Sequence, residues 1–524
     1  MDLDRDACYR ALRTRDARFD GRFYTAVVTT GIYCRPICPA RPPKIEHCLF
    51  LPSAAAAHQA GFRPCLRCRP ELAPGVAGWG GAERTVSHAL DLIVEGALEN
   101  GGIEALAARL GITGRQLRRL FDKHLGASPV TVAQAHRILF AKKLIGETAM
   151  SMADIAYASG FGSVRRFNDA MRRTYDRPPR ELRRAAPTED TGVCGITLKL
   201  PFRVPYNWAA TMSFLGPRAI PGVEAVGADC YRRIVSLDNA RGIIEVRPVE
   251  RTSHLLATIR VTDVTALGAI VGRLRRLFDL DADVAAIESH LRRDPRLATC
   301  IAARPGVRVP GAWDGFELAV RAILGQQISV AAATTLAGRL AAAYGETVTA
   351  DQHMGAAAGL RVAFPRPDVL AGADLTPIGL PRARAAAISA LAAAVLADAD
   401  LLQPTAGLEA TVERLCRVPG VGEWTAQYIA MRALHQPDAF PATDLGVLRA
   451  MASPTARVTP ARVSDIARAW RPWRAYAVMH LWLRDTPAAI ERRKAHEPTD
   501  RPRRVGDRDH PDHLRRSTAV RPRL

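Results

Sequence analysis

Four cysteines near the start of the chain have the spacing of a metal site. Cys34 and Cys38 lie in T-T-G-I-Y-C-R-P-I-C, and Cys65 and Cys68 in G-F-R-P-C-L-R-C. Two such pairs suit a tetrahedral Zn²⁺ that holds all four sulfurs as thiolates. A closed Cys₄ site is usually structural, yet a thiolate at neutral pH is also a nucleophile. A second cluster lies far downstream. V-P-G-V-G, Val418 to Gly422, places Gly420 and Gly422 in a tight turn whose N–H groups can approach a phosphate. About twenty residues later Asp444 follows Thr443 in F-P-A-T-D-L-G-V-L-R. By itself an aspartate there is a helix N-cap.

The elements that position these residues fall into blocks. Residues 71–82 are rich in Gly, Ala and Pro and read as a linker. Residues 84–185 have helical periodicity and contain two similar units, Ile103 to Phe121 and Met152 to Arg173. In each, a short helix reaches a glycine (Gly111 or Gly160) and a second helix begins near Thr113 or Ser163. That is helix-turn-helix spacing. The second helices carry Arg115, Arg118 and Arg119, then Arg165, Arg166, Arg172 and Arg173. A break near Ala185 to Gly192 precedes strand-like runs from Ile196 to about Val261. Helix returns over 264–300, and Ala/Leu-rich amphipathic helices dominate from Phe316 onward. The stretch from about Glu491 is rich in Arg, Asp and Pro, and disorder is expected there.

The cysteine motifs resemble the N-terminal domain of the Ada alkylation-response family over roughly residues 5–75. The resemblance implies that Cys34 accepts a methyl group from a DNA methylphosphotriester while Cys38, Cys65 and Cys68 complete the zinc site. It also places Thr30, Arg41 and Arg63 near the phosphate path. Cys8 and Cys48 fall outside the pattern and read as packed small residues. The paired helical units, with G-F-G-S and the later R-P-P-R-E-L-R, resemble the AraC regulator domain, which follows the zinc domain in the Ada family. The resemblance implies two recognition helices in successive major grooves, with Arg115, Arg118, Ser163, Arg165 and Arg166 near base edges. The P-C-H-R motif of the family's O6-methylguanine transferase does not occur, so that activity is not expected.

L-C-R-V-P-G-V-G-E-W-T-A resembles the helix-hairpin-helix of the base-excision DNA glycosylases. That superfamily places its catalytic aspartate at the position of Asp444. A carboxylate beneath the deoxyribose stabilises the oxocarbenium ion formed as the N-glycosidic bond breaks. Members that also nick DNA carry a lysine where this chain has Trp424, so a monofunctional hydrolase is expected. No cysteine follows Cys416, so no iron–sulfur cluster is expected. P-Y-N-W-A-A-T-M-S-F-L from Pro205, R-A-I-L-G-Q-Q-I-S-V from Arg321 and W-R-P-W-R-A-Y-A-V-M-H-L-W from Trp470 resemble 3-methyladenine DNA glycosylase II, over about 196–486. By that resemblance Trp424, Tyr428, Trp482 and Phe214 line the base pocket. Gly420, Gly422 and Thr425 belong to the DNA-binding hairpin, and Gln326 and Gln327 lie at the wedge, with Gln327 where the family has leucine.

The expected fold is multidomain and mainly α. It comprises a small α+β zinc domain (1–76), two helix-turn-helix units (84–185), a small antiparallel-sheet α+β domain (194–300), an all-α helix-hairpin-helix domain (301–490) and a basic tail (491–524). A net charge of +21 points to a polyanion, and double-stranded DNA is the expected partner. RNA polymerase is a further partner that an activator implies, and a monomer is expected. Ten cysteines in 524 residues, four of them at metal spacing, fit a reducing cytosol rather than a disulfide scaffold. No signal peptide or apolar run of ~18–20 residues is apparent, so a soluble cytoplasmic, nucleoid-associated protein is expected. Two other readings stand beside this one: a transcription factor whose second half only binds DNA, and a zinc-dependent enzyme without regulation.

Overall fold

A computed structural model describes residues 4–74, 81–94, 96–98, 101–183, 195–348, 359–403, 407–452 and 458–484. The expected break at 185–192 and the tail from 491 lie outside these residues, as does the middle half of the 71–82 linker.

The zinc domain is a four-stranded sheet of order β3-β1-β2-β4, with β1 Tyr24–Val27, β2 Ile32–Cys34, β3 Cys48–Leu51 and β4 Arg63–Pro64. β1 and β2 form a hairpin whose turn uses Gly31 at φ +64°, a conformation that favours glycine. β2 runs parallel to β4, pairing Tyr33 with Pro64. The residues that follow, Cys34 and Cys65, are thereby brought together. The helix Ala54–Gln59, capped by Ser53, packs its four alanines inward, and Cys8 and Cys48 are buried nearby.

The next domain has helices Gly81–Val94, Gly102–Arg109, Gly114–Leu125, Pro129–Glu147, Met152–Ala158 and Val164–Tyr175. Gly111 and Gly160 turn between paired helices at φ +66° and +79°. Thr113 forms a reciprocal capping box with Gln116, and Ser163 accepts from the Arg166 amide at 3.2 Å. The long helix Pro129–Glu147 has little amphipathic contrast because it is wrapped by neighbours. Ala135, Ile138, Phe140, Ala141, Leu144 and Ile145 are buried, and so are Lys142 and Lys143.

A five-stranded antiparallel sheet follows, of order β5-β9-β8-β7-β6. Its strands are β5 Ile196–Pro201, β6 Glu224–Val226, β7 Tyr231–Leu237, β8 Ala240–Pro248 and β9 His254–Val261. The helix Trp208–Leu215 links β5 to β6, and helices Leu267–Leu277, Val284–Leu291 and Pro295–Ala303 complete the domain. The rest is helical and splits between two hydrophobic cores. One joins the sheet to Phe440, Val447, Trp470 and Leu481; the other gathers Phe316, Ile323, Leu340, Ile388, Leu415 and Val421. The helix Glu423–Arg432 belongs to both, giving Ile429 to one and Ala430 and Met431 to the other. The candidate pocket lies along this seam.

The domains are tied by ion pairs, the Glu147 group buried and the others partly exposed. Glu147, at the end of the long helix, accepts from Lys143 at 2.8 Å and from the Lys199 amide of β5 at 3.0 Å. Arg69, next to Cys68, reaches Glu147 at 3.6 Å. Arg22 of the zinc domain pairs with Asp283, and Arg276 with Asp91. Among the described residues no helix is long and apolar enough to cross a membrane.

Candidate functional site

The four cysteine sulfurs lie within 4.8 Å of one another. A tetrahedral Zn²⁺ with bonds of ~2.3 Å sets its sulfurs about 3.8 Å apart, so the cluster fits one ion. The Arg35 amide donates to Cys68 Sγ at 3.3 Å and the Arg67 amide to Cys65 Sγ at 3.4 Å, as anionic sulfur requires. Packed this closely, the thiols cannot ionise independently. Hydrogen bonding with Cys34 holds Cys65 far below the ordinary thiol range, while Cys38 pushes Cys34 far above it. A bound Zn²⁺ would keep all four as thiolates. Cys38, Cys65 and Cys68 are buried, whereas Cys34 keeps partial exposure. Behind the cluster Arg35 pairs with Asp20 and donates to the Cys68 carbonyl at 3.1 Å, fixing the loop. Thr30, Arg41 and Arg63 are exposed.

The second centre is built around Asp444. It is the N-cap of the helix Leu445–Met451, and Oδ1 accepts from the Val447 amide at 2.9 Å. The two tryptophans add a role that the sequence did not indicate. Trp482 Nε1 donates to Oδ1 at 2.8 Å, and Trp424 Nε1 donates to Oδ2 at 3.0 Å. Three N–H donors therefore fix the orientation of the carboxylate. Gly446 leaves room beside it: a Cβ there would stand 3.0 Å from Asp444 Oδ1 and from Trp482 Cδ1, so both side chains would have to shift.

The expected aromatic residues converge on this carboxylate. Trp424 stacks on Tyr428 at 5.5 Å, Phe214 on Trp482 at 5.9 Å, and Tyr428 meets Trp482 at 6.1 Å. Phe214 arrives from the sheet domain and Trp482 from the last described helix, Arg474–Arg484, so the pocket is complete only when both domains are docked.

The hairpin presents exposed Gly420, at φ +83°, and Gly422 at the surface. Thr425 is 2 % exposed, and its hydroxyl accepts from Gln326 Nε2 at 3.0 Å. Gln326 also donates to the Gly420 carbonyl at 2.9 Å. The structure thus separates the glutamine pair. Gln326 turns inward to brace the hairpin, and Gln327 stands exposed at φ +58°. In the recognition helices Arg115, Arg118, Arg165 and Arg166 are exposed, with Arg118 held by Glu104 at 3.0 Å.

Sequence reasoning missed two arginines at the pocket. Arg218 lies 4.0 Å over the Phe214 ring; Arg432 lies 4.8 Å over it and donates to the Tyr428 hydroxyl at 2.9 Å. Each follows an aromatic residue by four positions, the spacing that places two side chains on one helical face.

The chain matches four family models: the metal binding domain of Ada over residues 7–71, a helix-turn-helix domain over 106–185, the AlkA N-terminal domain over 197–314, and the HhH-GPD superfamily base excision DNA repair protein over 320–471. It is 42 % identical over 487 residues to a probable bifunctional transcriptional activator/DNA repair enzyme AlkA of Mycobacterium tuberculosis, covering 92 % of this chain and 97 % of that one. It is 34 % identical over 288 residues to the DNA-3-methyladenine glycosylase 2 of Escherichia coli, covering 54 % of this chain and 95 % of the relative. It is 38 % identical over 140 residues to the bifunctional transcriptional activator/DNA repair enzyme Ada of Escherichia coli, covering 26 % and 37 %. With a zinc site of Ada type at one end and a carboxylate-centred aromatic pocket of glycosylase type at the other, the chain belongs to the family of bifunctional transcriptional activator/DNA repair enzymes that join an Ada metal-binding half to an AlkA half.

Proposed function

We propose that this protein repairs alkylated DNA and regulates the response to it. The observation that carries the reading is the Asp444 carboxylate, held by Val447, Trp424 and Trp482 at the mouth of an aromatic pocket. In the glycosylase step an alkylated purine such as 3-methyladenine is extruded among Trp424, Tyr428, Trp482 and Phe214. Asp444 stabilises the developing positive charge on the sugar and orients the water that closes C1′. Trp424 stands where a lyase of this superfamily has lysine, so there is no Schiff base and the product is an intact abasic strand. Gln327 enters the gap left by the flipped nucleotide, while Gly420 and Gly422 approach the phosphates.

In the zinc domain Cys34 Sγ bonds to the methyl carbon of a phosphotriester. The O–CH₃ bond breaks, its electron pair stays on the phosphate oxygen, and the diester's negative charge returns. Thr30, Arg41 and Arg63 line that approach. Methylation removes one negative charge from the cluster and so strengthens binding to promoter DNA through Arg115, Arg118, Arg165 and Arg166. As an activator the protein acts as a monomer in the cytoplasm, on the nucleoid, and contacts RNA polymerase.

The test follows purified protein on methylated DNA, with released bases and protein-bound methyl measured separately. Both should appear, the methyl on Cys34. A DNA-bound protein that releases no base would reduce the second half to a binding domain.

A further inference from the structure

Beneath the base pocket lies a group of buried charges whose count does not close. Arg233 and Arg321 face Glu224 and Glu317: Arg321 reaches Glu224 at 2.9 Å and Glu317 at 3.0 Å, and Arg233 pairs with both carboxylates. These four neutralise one another. Arg218 and Arg432, between this group and the pocket, pair with no carboxylate among the described residues. Arg432 is 3 % exposed and spends its other donors on the carbonyls of Pro310 and Gly311, at 2.8 and 2.7 Å. Arg218 donates to the Phe214 carbonyl at 2.9 Å. Two cations thus stand against Phe214 and Tyr428, while Asp444 is held by Trp424 and Trp482, on which those rings stack.

This arrangement conflicts with a pocket that merely attracts cationic bases. Arg218 already engages the π system of Phe214. The Tyr428 oxygen already accepts from Arg432, and no acceptor among the described residues takes its O–H. Burial alone would push the Tyr428 phenol up, yet Arg432, then Arg218, hold it below its ordinary value. Its proton, with no acceptor among the described residues, is available to a ligand.

We propose that Arg218 and Arg432, acting through Phe214 and Tyr428, form a fixed positive floor that stabilises the negative charge the base gains as its glycosidic bond breaks. The inference rests on the glycosylase reading and adds positioning residues to it. When the C1′–N bond breaks, its electron pair leaves on the base nitrogen. A cationic base becomes neutral, a neutral base becomes an anion, and the sugar becomes an oxocarbenium ion. Water adds its oxygen to C1′, and its released proton goes to the departing anion or to solvent. In either case the base end loses one unit of positive charge and the sugar end gains one. A positive floor and a negative mouth favour that transfer at both ends. A cationic base is opposed by the floor in the bound state and released from that opposition at the transition state. A neutral base is stabilised only at the transition state.

The two cases separate in kinetics, which a purely structural role would not reproduce. Arg218→Met is compared with wild type on duplexes carrying cationic 7-methylguanine or neutral hypoxanthine. On the cationic base, kcat and KM should fall together, about tenfold each, leaving kcat/KM nearly unchanged. On the neutral base, kcat should fall about tenfold at constant KM, about 1.4 kcal/mol of transition-state stabilisation. Arg218→Lys, which keeps the charge, should recover most of the rate. Tyr428→Phe should slow the neutral base more than the cationic one. Wild-type constants in Arg218→Met, the same change on both bases, or no recovery in the lysine variant would overturn the proposal. Wild-type protein that released neither base would instead reject the glycosylase reading beneath it.

Discussion

In the zinc domain the anion proposed to react is a sulfur in a cluster drawn from two loops of one small sheet, where β2 and β4 end side by side. In the glycosylase half it is a carboxylate whose setting draws on Phe214, Trp424 and Trp482 from three separate stretches of chain. The first anion would be kept charged by a metal, while the two amide N–H groups on sulfur go to its neighbours Cys68 and Cys65. The second is oriented by three N–H donors on its two oxygens. The methyl acceptor is consumed by its reaction, because a thioether is no longer a nucleophile. The carboxylate is unchanged when the base departs, so its rigid donors can serve many turnovers. A consumable site can be local; a reusable one that must also enclose a flipped base spans two domains.

The sharpest way to break this comparison is to disable each anion separately. Cys34→Ser should abolish methyl transfer from phosphotriesters, because a serine hydroxyl is neither a thiolate nor a matching zinc ligand. Base release should stay near the wild-type rate. Mass spectrometry that still finds protein-bound methyl, on Cys38 for example, would remove Cys34 from its role. Asp444→Asn keeps the N-cap but removes the charge. Base release should fall by about 10²-fold, equivalent to ~3 kcal/mol, with methyl transfer intact. Wild-type release from that variant, or a borohydride-trapped enzyme–DNA adduct from the wild type, would rule out the mechanism.

Trp482→Phe sharpens the glycosylase side. It keeps an aromatic surface against Phe214 and removes the donor at 2.8 Å from Asp444. A charge-assisted hydrogen bond contributes ~1.5–3 kcal/mol, part of which the remaining donors retain. A decrease of about tenfold in single-turnover release is expected, with a smaller change in lesion binding. A loss confined to binding would leave Trp482 a stacking residue only.

The two regions also differ in how far they can be read from sequence. The zinc ligands lie in two short segments whose spacing is itself the geometry, so Cys34, Cys38, Cys65 and Cys68 stand out without a fold. Asp444 is recognisable through the hairpin motif about twenty residues before it, since on its own it reads as a helix N-cap. Trp424, Tyr428, Trp482 and Phe214 do come together, but nothing in their spacing says that two indole N–H groups meet one carboxylate. That contact depends on how Arg474–Arg484 docks. Gln326 and Gln327 are adjacent and chemically identical, and only backbone conformation decides that one braces the hairpin while the other faces solvent. Arg218 and Arg432 read as ordinary basic residues in a chain of charge +21. Their meaning depends on which carboxylates the fold brings near them, and that is a tertiary property.

The smallest expected effect concerns the junction that joins the two regions. His136 of the helix Pro129–Glu147 and His435 of the glycosylase half line one cavity with Asp91, Arg276, Asp279 and Tyr476. Burial pushes His435 down to about 3 and His136 to about 4, and it likewise lowers His480 to about 4. A histidine whose folded value is depressed contributes stability that is present above its unfolded value, near 6.5, and is lost as pH falls toward the folded value. Asp279 works in the opposite direction. Burial raises it to about 7, so the folded state takes up its proton first and gains relative stability as pH falls from 7 toward 4. These histidines, together with His58 and His254, which burial also lowers, outweigh Asp279 and Glu288, which burial raises, and leave a net loss on acidification between pH 6.5 and about 4, with each histidine worth up to about 1.4 kcal/mol per pH unit. Calorimetry should show a lower unfolding temperature at pH 5.5 than at pH 7.5, and His435→Gln should flatten that dependence. If the junction couples the halves, the cooperative transition should also divide into two on acidification. A flat profile, or greater stability at pH 5.5, would mean that these buried histidines do not govern the junction.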